Sequence, residues 1–135
     1  MRLLPTTLAA TAAFIGIAAA TAPPVDCADP VLHSVSPDQR HSLAICRGTL
    51  LMAMPGEGGD APGHAVLRDA AGRIEGVVAI ATINAVGYPP RWEAGAVELP
   101  LVARFEFARN TSMLADGFWR LRAWLRAVPR DEEFR

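Results

Sequence analysis

Three side chains with acid–base chemistry lie close together in the stretch MPGEGGDAPGH, residues 54–64. Glu57 and Asp60 are carboxylates, and His64 changes its charge near neutral pH. If the fold brings them into one pocket, a small hydrolase could use Glu57, Asp60 and His64 as its acid and base. The two carboxylates supply too few oxygens for calcium and would repel a phosphate. A hydrolase is therefore one hypothesis, and the stretch predicts no metal site.

No other pattern of catalytic residues stands out. The sequence contains no nucleophile elbow, phosphate-binding loop, zinc-protease helix or paired-cysteine zinc motif. His33, His41 and His64 lie on separate segments without the spacing of metal ligands, so they predict no metal centre. The formal net charge is -1 and the 13 basic residues are scattered arginines, which gives no basic surface for nucleic acid. These features favour a non-enzymatic binding or interaction module that needs no cofactor.

A glycine-rich segment and an aromatic segment form the predicted binding site. Glycines let the backbone of residues 54–64 approach a partner closely. The expected strand order brings this segment beside NAVGYPPRWEAG, residues 84–95, at one end of the sheet. Tyrosine, tryptophan and arginine dominate binding hot spots. The residues predicted to bind a protein or envelope ligand are Gly56, Gly58, Gly59, Asp60, Tyr88, Arg91 and Trp92. Alternatively, the two aromatic rings cover the core and the glycines only connect two strands.

The first 22 residues have the features of an export signal. Arg2 precedes an apolar run over residues 8–20, and small side chains follow it. The sequence predicts a signal peptide over residues 1–22, cleaved after Ala20 or Ala22, and a periplasmic or secreted protein. The alternative is an uncleaved membrane anchor, for which the run is short, because a spanning helix needs roughly 20 apolar residues.

Export changes the interpretation of the two cysteines. In an oxidising compartment an even number of cysteines predicts a disulfide, here between Cys27 and Cys46. Closing a loop of about 20 residues stabilises a domain by about 3 kcal/mol. The alternative is a pair of free thiols or half of a metal site.

Alternating apolar residues predict several strands. A strand around Leu43 and Ile45 is expected to continue to Met54, with Gly48 as a bulge. The turn Asp69-Ala-Ala-Gly72 predicts a hairpin that pairs residues 65–68 with residues 73–75.

Two longer apolar stretches follow this hairpin. Residues 77–83 are apolar on both faces, which is typical of a central strand. Residues 97–107 alternate cleanly, with Leu101 among the side chains expected to face the core. Pro100 makes this an edge strand or breaks it into two.

The C-terminal stretch has a helical period. It predicts an amphipathic helix over about residues 112–128, ended by Pro129. The apolar stripe consists of Leu114, Phe118, Leu121, Leu125 and Val128, with Arg120, Arg122 and Arg126 off the stripe. We expect the stripe to face the core, so that the helix caps the sheet. The alternative is a basic helix on an anionic membrane, which would make the chain an envelope-associated structural protein.

The stretch SPDQRHSLAICR, followed by LLMAMPGEGGDAPGHAVLRDAAGRI, resembles a group of small uncharacterised exported proteins of Gram-negative bacteria. Their pattern runs S-P-D, a strand with a cysteine, M-P-G-x-G-x-D-A-P-G, a short strand and a D-x-x-G turn. The resemblance covers residues 36–74 and implies a mostly β domain without indicating an activity.

The combined expectation is a mainly β (α+β) fold over residues 23–135 as a single domain. It has one antiparallel sheet, or a small sandwich, of about four or five strands, together with a C-terminal amphipathic helix and one disulfide.

Overall fold

The computed structural model describes residues 11–18, 27–48, 61–108 and 111–125. Residues 11–18 form helix α1, which is exposed along almost its whole length. The elements that follow are β1 (Leu32–Val35), β2 (His41–Arg47), β3 (Gly63–Asp69), β4 (Ile74–Ile80), a 3-10 turn (Ile83–Ala85), β5 (Arg91–Trp92), β6 (Ala96–Leu99), β7 (Ala103–Glu106) and α2 (Met113–Trp124).

Strands β1 to β4 form a four-stranded antiparallel sheet in chain order. The predicted hairpin joins β3 to β4, and Gly72 at its exit has the left-handed φ of 78° that favours glycine. The Asp69 carboxylate accepts hydrogen bonds from the backbone N–H groups of Ala71 and Arg73, both at 2.9 Å. The pairing register shifts after Leu67, which leaves Glu75 as the extra residue of a bulge.

Strands β5 to β7 form a three-stranded antiparallel sheet. Residues 97–107 do not make one strand, because the chain turns between β6 and β7 directly after Leu99. The N–H of Val102 donates to the carbonyl of Leu99 at 3.0 Å to close this turn, and Pro100 opens it. Leu101 lies at the turn with φ 66° and is exposed, so the prediction that it faces the core is wrong.

The two sheets pack against each other and enclose the larger core cluster. Alternate residues of β2, β3 and β4 meet β6 and β7 there, which is how a two-sheet sandwich buries one face of each sheet. The largest fully buried side chains of this cluster are Leu43, Ile45, Leu67, Ile80, Val97, Leu99 and Val102. A Cβ on Gly76 would lie 2.9 Å from Cδ1 of Phe105, so the sheets approach closely at this glycine.

The opposite face of the four-stranded sheet carries the smaller core cluster. Cys46, Val66, Ile74 and Val77 lie there, and Cys27 and Trp119 pack against them. The predicted disulfide joins Cys27 to Cys46, whose Cα atoms are 5.4 Å apart. The molecule is thus layered as small sheet, large sheet and helix α2, which confirms the mainly β class with a C-terminal helix and one disulfide.

Two further predicted strands differ from the structure. β4 ends at Ile80 and is an edge strand, not a central one. It is buried on both faces because the small sheet covers one side and α2 contacts it on the other. β2 ends at Arg47, before Gly48, and residues 49–54 lie outside the described ranges.

Helix α2 covers Met113–Trp124 of the predicted 112–128, of which residues 126–128 are not among those described. No helix within the described ranges is long and apolar enough to cross a bilayer.

Candidate functional site

A carboxylate of helix α2 holds the helix against the large sheet. The side chain of Ser112 caps the helix by accepting a hydrogen bond from the N–H of Ala115 at 3.1 Å. One turn later Asp116 is 6% exposed, and its Oδ1 accepts the backbone N–H of Ile74 at 2.9 Å. Its Oδ2 pairs with Arg120. The buried negative charge is therefore both hydrogen-bonded and neutralised, as burial of a charge requires.

Because Asp116 and Trp119 point to the sheet, the apolar side of α2 points away from it. Met113, Leu114, Phe118, Trp124 and Leu125 are between 52% and 83% exposed, and we call this set the outward face. The predicted stripe is therefore oriented the wrong way: Leu114, Phe118 and Leu125 face solvent, and Leu121 is only half-buried.

Arginines border the outward face. At 3.6 residues per turn the outward face spans an arc of about 140°, with Arg120 next to one edge and Arg122 next to the other. Gly117 and Leu121 fall within the same arc, but Gly117 is buried and Leu121 is half-buried. The guanidinium carbon of Arg122 lies 5.7 Å from the centre of the Phe118 ring and 5.1 Å from that of Trp119. This arrangement keeps a positive charge beside the exposed ring of Phe118 and the half-buried ring of Trp119.

A second polar cluster lies at the end of the large sheet where β2 and β4 begin. The Glu75 side chain is 1% exposed, and its Oε2 lies 2.9 Å from Nδ1 of His41. Its Oε1 accepts the hydroxyl of Thr111 at 2.9 Å. The His41 ring stacks on Phe107, with centroids 3.9 Å apart. The cluster ties residue 111, just before α2, to the beginning of β2.

The predicted aromatic site is only partly assembled. Near the beginning of residues 84–95, the N–H of Ile83 donates to the carbonyl of Ala61 at 2.9 Å, which places the chain beside the end of the glycine-rich segment. Tyr88 and Arg91 are exposed, as a contact site requires. Trp92 instead packs against the larger core cluster, and its Nε1–H donates to Oγ of Ser34 at 3.0 Å. The tryptophan thus follows the alternative in which its ring covers the core.

The other predicted site residues, Gly56, Gly58, Gly59 and Asp60, lie outside the described ranges, as does Glu57. His64 is half-buried on β3, and its Nε2 has no hydrogen-bond partner among the residues described. Burial, with a smaller contribution from the charge of Arg68, lowers the pKa of His64 below its ordinary value of 6.5. The hydrolase hypothesis stays a prediction.

Two features of the site were not predicted from the sequence. The contact between Glu75 and His41 joins residues 34 positions apart, for which a local pattern gives no signal. The side of α2 that faces the sheet has a weak sequence signal. Asp116, Trp119 and Ala123 recur there at helical spacing, opposite the apolar stripe.

No protein-family model matches the sequence, and no curated protein and no solved structure is significantly similar to it. Within residues 11–18, 27–48, 61–108 and 111–125, no group of three or more His, Cys, Asp or Glu side chains is placed to hold a metal ion. The resemblance of residues 36–74 to small exported proteins remains a prediction, and the outward face of α2, bordered by arginines, is the candidate site that the geometry supports best.

Proposed function

We propose that this chain is an exported, non-enzymatic interaction protein of the periplasm or cell exterior, which associates with the cell envelope through the outward face of α2. One observation carries the proposal. A helix that packs on a sheet ordinarily buries its apolar side, whereas α2 buries a carboxylate and presents large apolar side chains to solvent. Large apolar side chains exposed together on one helix are typical of an interaction site.

Export is supported by two independent features. The first 22 residues have the charge and apolar pattern of a signal peptide. The bond between Cys27 and Cys46 belongs to an oxidising compartment, because the cytosol keeps most thiols reduced.

The test has two stages. The full chain is expressed in a Gram-negative host, and intact mass after osmotic release identifies its compartment, its first residue and its disulfide. The exported chain is then incubated with envelope fragments and sedimented. We expect a periplasmic chain that begins after Ala20 or Ala22 and sediments with the fragments.

A matched pair of variants shows whether the outward face is responsible. Leu114→Gln/Phe118→Gln removes apolar side chains from that face, and we expect it to stay in the supernatant. Leu101→Gln changes another exposed leucine, at the β6–β7 turn, and should sediment as the native chain does. A chain retained in the cytoplasm, or one that never sediments, would overturn the proposal.

A further inference from the structure

No further inference is drawn: the strongest candidate, the outward face of α2, has Arg120 paired with Asp116 and Arg122 engaged with the rings of Phe118 and Trp119 at its border, so that nothing in the described part of the structure shows what covers it.

Discussion

The side chain of Asp116 on α2 accepts the backbone N–H of Ile74, the first residue of β4, at 2.9 Å. This bond gives an acceptor to a backbone N–H at the edge of the large sheet, beside the bulge. It also fixes which side of α2 faces the sheet. Because Asp116 must face the sheet to accept this hydrogen bond, the apolar side of α2 faces solvent.

Replacing Asp116 should destabilise the fold by a defined amount. Asp116→Ala leaves the N–H of Ile74 buried without a partner and Arg120 without its carboxylate, and we expect a loss of about 1–3 kcal/mol in the free energy of unfolding. Asp116→Asn keeps an acceptor and should lose less. Urea denaturation followed by circular dichroism measures both. Equal stability of Asp116→Ala and the native chain would mean that the bond does not hold the helix.

The orientation of α2 predicts an unusual contrast between its side chains. Leu114→Gln is expected to change stability by no more than about 0.5 kcal/mol, because the leucine is exposed. Trp119→Ala removes a ring packed against the smaller core cluster and should cost about 2 kcal/mol or more. Thermal melts measure the stability of both variants. A larger loss in Leu114→Gln than in Trp119→Ala would mean that the apolar side of the helix packs on the sheet.

Stability should depend on pH through His64. The unfolded chain takes up a proton on His64 near the ordinary value of 6.5, whereas burial lowers the pKa of the folded state. Between these two pKa values the unfolded state binds more protons, so acid favours unfolding. This contribution to stability is fully present above pH 6.5 and is lost as the pH falls toward the folded pKa.

The measurement is the urea midpoint between about pH 8 and pH 5, a range that spans the ordinary histidine pKa. His64→Gln should flatten the slope of the midpoint with pH. His33→Gln changes an exposed histidine and should leave the slope of the midpoint with pH unchanged. A slope unchanged in His64→Gln would show that another group is responsible.

Two glycines of the β3–β4 hairpin should respond differently to alanine. Gly72→Ala places a side chain at φ 78° in open space, so we expect a cost of about 1 kcal/mol from the backbone alone. Gly76→Ala puts a methyl group 2.9 Å from the Phe105 ring and should cost about 1–3 kcal/mol.

A double-mutant cycle distinguishes the two causes. Phe105→Leu makes room at the sheet interface and should recover part of the loss in Gly76→Ala, whereas its effect should simply add to that of Gly72→Ala. Unfolding free energies of the native chain, the three single variants and the two double variants give the coupling for each pair. No coupling between residues 76 and 105 would mean that the sheets are not in close contact at this glycine.

Local features could be predicted where the deciding interactions are local. The β3–β4 turn depends on hydrogen bonds from Asp69 to residues 71 and 73 and on the positive φ of Gly72. All of these residues lie within a stretch of five, so their types alone indicate the hairpin. The break at Pro100 follows from a missing backbone donor. The two cysteines allow a single intramolecular pairing, and an oxidising compartment makes that pairing the expectation.

Long-range features could not be predicted in the same way. The ring of Trp92 is positioned by Ser34, 58 residues earlier. Glu75 meets Thr111 across 36 residues, and no spacing within a strand or helix encodes that meeting. Such contacts form only when the small sheet and α2 pack on opposite faces of the large sheet.

The sequence by itself predicted a helix with one apolar side over about residues 112–128, and Met113–Trp124 is helical, because helical periodicity is a property of neighbouring residues. Only the tertiary structure decided which side meets the sheet. Periodicity measures how apolar each side is, and it does not register that a backbone N–H at the beginning of β4 needs an acceptor. Asp116, 42 residues away from Ile74, supplies that acceptor, and its burial turns the apolar side outward.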